Sequence, residues 1–315
     1  MDYRIAFVGI GSIGKRHIRN VSEFLCSRGD TFSIDLYRTN PNGELPAEIA
    51  AVTDHRFLIS DPLPENREYD VVFVTNPTSL HYDTVVKFLP VAKSFFIEKP
   101  VFESTDKDCS VFERYPDTVF YIACPLRYCQ VLQYVSKNID YKEAFSVRAI
   151  SSSYLPDWRP GQDYRKCYSA HRDLGGGVAI DLIHEWDYLT NFWGIPGSCH
   201  SICDKISNLE IDSDDIAIYI AKAGRTTIEL HLDYFGRKTI RTLELYLPDE
   251  TVVCGIEEGR IDFLKSGKSV VFEEERDGYQ MAEISHFFDI IDHKTANDSD
   301  LPHAVKVLEL AKGEI

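Results

Sequence analysis

The chain has 315 residues, of which 44% are hydrophobic and 27% are charged, and its formal net charge is −16. These proportions are those of globular proteins and exclude a disordered or fibrous chain. The acidic excess argues against a general nucleic-acid-binding surface and against binding to anionic membranes, because both need a basic face. At about 150 residues per domain, the length predicts two domains.

The N-terminus and the cysteines indicate the compartment. Met1–Arg4 leads into a short apolar run that meets glycine at once, unlike a signal peptide, and no stretch approaches the ~20 apolar residues of a membrane-spanning helix. The eight cysteines form no C-x-x-C pair, and no Cys/His set has zinc-finger spacing. We therefore expect reduced thiols, no metal, no membrane partner and a cytoplasmic location.

The first part of the chain alternates apolar strands with helices. The apolar spacing predicts helices over Ser12–Cys26 and around Ser79–Leu89. Nearly all-apolar strands separated by helices are typical of a parallel, doubly wound α/β sheet covered on both faces. The predicted strands are Tyr3–Gly9, Phe32–Tyr37, Asp70–Thr75, Ser94–Ile97 and Thr118–Cys124.

After about residue 143 the apolar residues recur with period two, which predicts largely antiparallel strands with one buried face. One helix, over about Gly177–Phe192, interrupts them, and helical spacing returns at Gln280–Asp292 and His303–Lys312. We predict an α/β domain at residues 1–124 and an α+β domain at residues 125–315. The alternating positions are Phe145, Val147 and Ala149; Ile216, Ile218 and Ile220; Ile228, Leu230 and Leu232; and Leu243, Leu245 and Leu247.

A glycine-rich loop of the form G-x-G-x-x-G joins the first predicted strand to the first predicted helix. In that context the glycines allow a tight turn, the approach of a pyrophosphate and close helix packing, while the helix N-terminus faces the phosphates. A plain strand–helix turn is the alternative, and the flanking elements favour a dinucleotide site. Its predicted contacts are Gly9, Gly11, Ser12, Ile13 and Gly14.

The end of the second predicted strand bears on the choice between NAD and NADP. Asp35 lies within that strand and Arg38 follows it. An arginine there can receive a 2′-phosphate or stack on adenine, and an ordinary surface arginine is the alternative. Both cofactors stay open, with Arg38 slightly favouring NADP.

Two more segments follow strands at the sheet edge where ligands bind in doubly wound folds. The run from Asn76 to His81 predicts a turn and a helix cap, and it can also frame a nicotinamide ribose. Glu98-Lys99-Pro100 presents a lysine that can donate a hydrogen bond to a substrate oxygen, unless it is a plain surface lysine.

Gly175–Asp187 is the most informative segment of the second part. Three glycines precede an apolar helix on which Asp181 and His184 are three residues apart and so share a face. A carboxylate beside an imidazole suits a general acid or base, although such a pair is commonly structural. The spacing is not H-E-x-x-H, so we predict no zinc site.

The loop Tyr154–Ser169 mixes aromatic and basic residues. Aromatic faces suit sugar rings, and arginines suit phosphate or carboxylate groups. The length of the loop and its lack of periodicity favour a functional loop over an ordinary packed one. The predicted substrate-binding residues are Trp158, Arg159, Tyr164, Arg165, Tyr168 and His184.

Together these segments resemble the Gfo/Idh/MocA family of sugar oxidoreductases, in their order and spacing, over essentially the whole chain. The loop Tyr154–Ser169, and the spacing of three between Asp181 and His184, resemble the branch associated with nucleotide-sugar and surface-polysaccharide metabolism. The resemblance implies a Rossmann domain followed by a mixed sheet whose open face forms a homodimer or homotetramer interface.

The same resemblance implies hydride transfer between NAD(P) and a carbinol or ketone carbon of a sugar or nucleotide-sugar held between the domains. His184 would exchange the hydroxyl proton, Lys99 would polarise the oxygen and Asp181 would orient His184. The family's Asn-x-Arg-Phe segment appears here as Pro125-Leu126-Arg127-Tyr128, which keeps only the arginine at its polar positions. The further implied cofactor contacts are Thr75, Asn76, His81, Glu98, Lys99 and Arg127.

Two other functions fit parts of this pattern. A regulator on the same fold would sense NAD(P) or a sugar without turnover, but it would be free to lose Lys99 and His184. A methyltransferase would use the glycine loop for a methyl donor, but the Glu98-Lys99-Pro100 turn and the β-rich second domain argue against it.

Overall fold

The computed structural model describes residues 1–314, apart from the side chain of Arg276, and it divides into two compact units. Unit 1 comprises Met1–Ala123 and Gln280–Val305, and unit 2 comprises Cys124–Tyr279 with the chain from Lys306 onward. The sequence pattern predicts a division near residue 124 and gives no sign that residues 280–305 join unit 1. The chain returns from unit 2 to unit 1 between Tyr279 and Gln280, which lie within one continuous helix, Arg276–Ile291.

Unit 1 is built on a six-stranded parallel sheet in the order β3-β2-β1-β4-β5-β6. The strand order reverses about β1, which is the arrangement of doubly wound dinucleotide-binding folds. Strands β4 and β5 are buried at every position, as expected when helices cover both faces. The strands are β1 Asp2–Val8, β2 Thr31–Arg38, β3 His55–Leu58, β4 Val71–Val74, β5 Ser94–Ile97 and β6 Val119–Ile122.

The helices of unit 1 pack on this sheet through apolar stripes. They are α1 Ser12–Arg28, α2 Ala47–Ala51 and α3 His81–Phe88, joined by the part of α7, Arg276–Ile291, that begins at Gln280. Strand β3 and helix α2 lie outside the predicted elements, since both are short and the first half of β3 is polar. The ring of Phe287 on α7 packs edge-on against Phe96 at 5.3 Å between centroids.

Unit 2 carries an eight-stranded mixed sheet in the order β14-β13-β12-β11-β7-β10-β9-β8. Only the pairing of β7 with β10 is parallel among the described pairs of this sheet. The strands are β7 Ser146–Tyr154, β8 Ser198–Asp204, β9 Ile216–Ala223, β10 Thr226–Asp233, β11 Phe235–Tyr246, β12 Thr251–Gly255, β13 Arg260–Phe263 and β14 Lys268–Val271. The helices are α4 Gln130–Asn138, α5 Val178–Asp181, α6 His184–Trp193 and α8 Leu301–Ala311, whose last turns belong to this unit.

Two predicted details of unit 2 are wrong. The helix predicted over Gly177–Phe192 is broken, because α5 ends at Asp181 and α6 begins at His184. In β9 the buried face is formed by Ala217, Tyr219 and Ala221, whereas Ile220 is 56% exposed. Both faces of β9 are largely apolar in sequence, so alternation alone does not tell which one packs inward.

Candidate active site

The glycine loop after β1 has the backbone geometry that its sequence predicts. Gly9 has φ +89°, and a Cβ on it would lie 2.6 Å from Cα of Asn76. A Cβ on Gly14 would lie 2.7 Å from the carbonyl oxygen of Gly9 and from Oγ1 of Thr75. A Cβ on Gly11, in contrast, would meet nothing within 4 Å. Gly9 and Gly14 therefore allow close packing of the backbone, whereas Gly11 leaves open space at the start of α1.

The N-terminus of α1 suits an anionic group. Ser12 is exposed and Ile13 is half-buried in the first turn, which contains no acidic residue. The first amides of a helix have no partner within the helix and carry a partial positive charge. Phosphates bind at such helix ends in dinucleotide-binding folds.

The turn after β4 meets the glycine loop. Oγ1 of Thr75 donates to the carbonyl oxygen of Gly9 at 2.7 Å, and Nδ2 of Asn76 donates to Oγ1 of Thr84 at 2.8 Å. Oδ1 of Asn76 is buried and has no hydrogen-bond partner among the described residues. An unsatisfied acceptor is costly unless a ligand donates to it, so this oxygen fits a hydroxyl of a bound ribose.

His81, at the start of α3, is buried. Its Nε2 lies 3.0 Å from the carbonyl oxygen of Asn76, and its Nδ1 lies 3.1 Å from that of Pro100. Burial lowers the pKa of His81, although its carbonyl partners oppose the effect. The imidazole bridges the turns after β4 and β5, so it helps to fix the edge of the sheet at which ligands bind in this fold. Its predicted contact with a cofactor stays a prediction.

The turn after β5 carries Glu98, Lys99 and Pro100, with a cis peptide bond between Lys99 and Pro100. Lys99 is half-buried. Oε1 of Glu98 lies 2.5 Å from Nε2 of His17, which is 1% exposed on α1. The sequence motifs do not mark His17 as functional, and its one distinguishing feature in the sequence is that it is a histidine within the apolar stripe of α1.

At the end of β2, Nη1 of Arg38 donates to the carbonyl oxygen of Gly43 at 3.0 Å. Burial and the nearby positive charge of Arg56 lower the pKa of Arg38. Asp35 is buried within the strand, where its carboxylate accepts from the hydroxyl of Tyr69 at 2.8 Å and pairs with Arg67. Arg38 therefore stands at the ligand end of β2 with Arg56 nearby on β3, and the carboxylate of Asp35 is engaged within the strand.

Arg127 in unit 2 is predicted to contact the cofactor, and the structure gives it a partner within its own unit. Its Nε donates to Oδ2 of Asp187 at 2.8 Å, and its Nη2 donates to Oδ1 at 2.5 Å. Both residues are buried, and the thiol of Cys124 lies 2.9 Å from the same carboxylate. Such a bidentate ion pair fixes both side chains in place. The contact of Arg127 with a cofactor stays a prediction.

The predicted catalytic residues of unit 2 lie at the break between α5 and α6. Asp181 ends α5 and is buried, and His184 begins α6 and is half-buried. The carboxylate of Asp181 accepts one hydrogen bond from the hydroxyl of Tyr168 at 2.5 Å and another from that of Tyr234 at 2.6 Å. Burial and the charge of Asp181 raise the pKa of Tyr234 well above its usual range, which keeps this phenol a donor.

The loop Tyr154–Ser169 folds around a pocket of about 340 Å³ within unit 2. Trp158 and Tyr164 line it, with Arg159 and Lys166 as the cations. The loop is tied to the sheet because Nε1 of Trp158 donates to Oγ of Ser153 at 2.9 Å.

Of the predicted substrate residues, the structure brings Trp158, Arg159 and Tyr164 to this pocket and separates Arg165 from it. The guanidinium of Arg165 pairs with Asp163 at 2.8 Å and with Glu210 at 3.1 Å, and it does not line the pocket. The ring of Tyr168 is exposed beside the guanidinium of Arg159, at 5.8 Å from the ring centroid.

Within residues 1–314, no group of three or more His, Cys, Asp or Glu side chains could hold a metal ion. None of the helices among these residues is long and apolar enough to span a membrane.

Residues 3–114 match the family model described as the Gfo/Idh/MocA oxidoreductase family with an NAD-binding Rossmann fold. Over these residues the chain is similar to that family. The resemblance inferred from the sequence motifs is thereby confirmed. Among curated proteins, the chain is 29% identical over 101 residues to the "Uncharacterized oxidoreductase YrbE" of Bacillus subtilis (strain 168). That match covers 32% of this chain and 28% of the length of the relative.

Solved structures match nearly the whole chain. UDP-N-acetylglucosamine 3-dehydrogenase GnnA from Acidithiobacillus ferrooxidans is 18% identical with a TM-score of 0.76, over 99% of this chain and 96% of that one. Levoglucosan dehydrogenase in complex with NADH and levoglucosan is 15% identical with a TM-score of 0.82, over 99% and 96%. The WlbA dehydrogenase from Bordetella pertussis in complex with NADH and UDP-GlcNAcA is 17% identical with a TM-score of 0.78, over 99% and 95%. At these identities the likeness establishes the fold, and the predicted fold class is confirmed.

Proposed function

We propose that this protein is an NAD(P)-dependent oxidoreductase that transfers a hydride between the nicotinamide and a carbinol or ketone carbon of a sugar or nucleotide-sugar. The observation that carries the proposal is the ligand edge of unit 1. There an open glycine loop, the unsatisfied Oδ1 of Asn76 and the Lys99 turn follow β1, β4 and β5, three adjacent strands of one sheet. Ligands of doubly wound folds bind at this edge.

The residues present fit the cofactor. The space at Gly11 and the amides of Ser12 and Ile13 would take the pyrophosphate, and Oδ1 of Asn76 would accept from a ribose hydroxyl. When bound, the cofactor supplies or accepts the hydride.

The chain's own residues would handle the proton and the charge on the substrate oxygen. Lys99 would donate to that oxygen and stabilise its developing charge. His184 would take or return the hydroxyl proton, since imidazole changes charge near neutral pH. Asp181, held by the hydroxyls of Tyr168 and Tyr234, would supply a fixed negative charge at the end of α5, three residues before His184 at the start of α6.

The choice of cofactor is a finer part of the proposal. Arg56 on β3 lies close enough to Arg38 at the end of β2 that its positive charge helps burial to lower the pKa of Arg38, and Asp35 is engaged with Tyr69 and Arg67. A 2′-phosphate would relieve the repulsion between two guanidinium groups, whereas an NAD site commonly places a free carboxylate there. We therefore favour NADP over NAD.

The substrate class rests on the pocket in the loop Tyr154–Ser169 and on the structural neighbours. GnnA and WlbA are named for, or were solved with, nucleotide-sugars, and levoglucosan dehydrogenase was solved with levoglucosan. The pocket offers the Trp158 ring to a sugar face, and Arg159 and Lys166 to an acidic group.

We propose that the open face of the unit 2 sheet forms a homodimer or homotetramer interface. Ile202 on β8 and Ile220 on β9 point to this face and are 64% and 56% exposed. Exposed aliphatic side chains on neighbouring strands are typical of a surface that another chain covers. A cytoplasmic location, with no nucleic-acid or membrane partner, completes the proposal.

The test is a screen of the purified protein against nucleotide-sugars, free sugars and cyclitols with NAD and with NADP, followed by absorbance of the reduced nicotinamide. We expect turnover within one substrate class. We also expect Lys99→Ala and His184→Ala each to lower kcat by about a thousandfold while cofactor Kd changes less than about threefold. Full activity in both variants would contradict the residue roles. Tight cofactor binding with no turnover of any substrate would favour a regulator that senses NAD(P).

A further inference from the structure

The turn that carries Lys99 is held from both sides by buried histidines. Nε2 of His17 on α1 contacts Glu98, the residue before Lys99, at 2.5 Å. Nδ1 of His81 on α3 lies 3.1 Å from the carbonyl oxygen of Pro100, the residue after it. Both histidines are 1% exposed, so both imidazoles are shielded from solvent.

The hydrogen-bond inventory of His17 indicates the charge of its pair with Glu98. Nδ1 of His17 is buried and has no partner among the described residues, and the ring packs edge-on against Phe96 at 5.0 Å. A neutral imidazole with its hydrogen on Nε2 fits this environment better than a cation, because Nδ1 then carries no hydrogen that needs an acceptor. A second proton would bury an N–H group with nothing to receive it. The pair therefore carries a single negative charge, on Glu98.

That charge lies beside Lys99. Burial acts to raise the pKa of Glu98, but its hydrogen bond with His17 and the nearby positive charge of Lys99 counter burial, and the pKa is lowered. The titratable groups that face Glu98 include His17 from α1, His81 from α3 and its neighbour Lys99. An anion fixed in this position favours the ammonium form of the lysine.

We propose that His17 is a positioning residue for the reaction: by donating to Glu98, it holds this carboxylate and its turn in place, so that the anion stays beside Lys99 and the lysine stays oriented. The inference rests on the proposed function only for the part that Lys99 plays in turnover. The effect of His17 on the protonation of Lys99 depends only on residues of unit 1, so it is present without substrate. Because His17 stands one turn into the helix that the glycine loop opens, the same contact ties the phosphate-binding helix to the lysine turn.

The test compares two substitutions of His17 in the full chain. His17→Gln can bring its amide nitrogen to the place of Nε2 and keep the donor, whereas His17→Phe keeps the ring and removes the donor. Lysines are reductively methylated with ¹³C, the Lys99 signal is assigned by its loss in Lys99→Arg, and its chemical shift is followed against pH with and without cofactor. We expect the midpoint of this titration to fall by about one pH unit in His17→Phe and by less than about 0.3 in His17→Gln.

With a turnover assay, a second readout applies. We expect His17→Phe to lower kcat about tenfold or more, while KM and cofactor Kd stay within about threefold and the alkaline limb of the kcat profile moves to lower pH. His17→Gln should restore most of kcat. A merely structural role would lower the melting temperature without moving the pH profile.

An unchanged Lys99 titration in His17→Phe would overturn the inference. If that variant does not fold, His17→Asn takes its place, since the shorter amide does not reach Glu98. Failure of wild-type turnover with every substrate would count against the proposed function alone, because the Lys99 titration still decides the role of His17.

Discussion

At the scale of single residues, the three glycines of the loop have different structural roles. Gly9 and Gly14 are fixed by backbone atoms less than 3 Å from where a Cβ would stand, whereas Gly11 faces open space. The G-x-G-x-x-G motif predicts all three positions, but only the structure separates the two that pack the chain from the one that faces a ligand. This difference makes Gly11 the cleanest probe of cofactor binding.

We expect Gly11→Ala to fold as the wild type does and to weaken NAD(P) binding at least about tenfold, or about 1.4 kcal/mol, because the methyl group occupies the pyrophosphate's space. Fluorescence titration with reduced cofactor measures Kd, and thermal unfolding reports the fold. Gly197→Ala is the control, since a Cβ there also meets nothing within 4 Å but lies in unit 2 before β8. Equal Kd values for the two variants would contradict the assignment of the loop.

Asp215 is an example of an important residue that no sequence motif predicts. It is fully buried in unit 2, where its Oδ1 accepts from the amide of Ile206 at 2.8 Å and its Oδ2 from the hydroxyl of Ser207 at 2.5 Å. Lys205 adds an ion pair at 3.0 Å. Burial acts to raise the pKa of Asp215, but these hydrogen bonds lower it below its usual range. Donors converge on it from one connecting segment, a placement that appears only when the chain is folded.

The lowered pKa of Asp215 predicts the sign of an acid effect. Its stabilisation is fully present above about pH 4, the unfolded value, and is lost as pH falls through the lower folded value. We expect Asp215→Asn to reduce the free energy of unfolding by about 2–4 kcal/mol at neutral pH, and by less near pH 3. Urea unfolding at both pH values measures this. The exposed Asp249→Asn serves as the control, and an equal loss at both pH values would exclude the charge as the cause.

At the scale of elements, apolar periodicity predicts most strands and helices of unit 1, because each element buries a regular stripe or face. It fails where a short element is half polar, as in β3, and where both faces of a strand are apolar, as in β9. It also joins α5 and α6, since the break at Leu182 and Ile183 consists of apolar residues that fit a helix. In these cases tertiary packing determines the local structure, and that packing does not follow from the periodicity of a single sequence.

Helix α7 completes the core of unit 1 through Phe287, which is fully buried. Its ring contacts those of Phe96 and Tyr121 at centroid distances of 5.3 and 5.4 Å. We expect Phe287→Ala to lower the free energy of unfolding by about 3–5 kcal/mol, with Phe287→Leu costing clearly less, since it leaves a smaller cavity. Urea denaturation followed by circular dichroism measures both variants. A loss below about 1 kcal/mol for the alanine variant would show that this helix does not support the core.

At the scale of the whole molecule, the net charge of −16 and the open sheet face lead to separate expectations. The charge argues against polyanionic partners in general, and the cations that matter are local: those of the Tyr154–Ser169 pocket and of the end of β2. The resemblance predicts the open face as an interface. The structure adds which side chains are exposed on it, and it adds the return of residues 280–305 to unit 1.

We expect Ile220→Asp to shift the protein toward the monomer, because a charge buried in an apolar interface has no partner. Light scattering after size-exclusion chromatography measures the mass. Ile206→Asp is the matched control, as this isoleucine is similarly exposed but lies outside the strands. A wild-type protein that is monomeric at all concentrations would refute the interface.

The central claim is hydride transfer to or from a sugar-type carbon, and isotope transfer tests it most directly. Reduced cofactor that carries deuterium at both positions of its hydride-donating carbon is incubated with the protein and the oxidised form of the substrate found by screening, and the product is analysed by mass spectrometry and NMR. The account predicts one deuterium on the carbinol carbon of the product, and its near-complete loss in Lys99→Ala. Product that carries no deuterium, or cofactor that binds tightly and is never consumed, would contradict it.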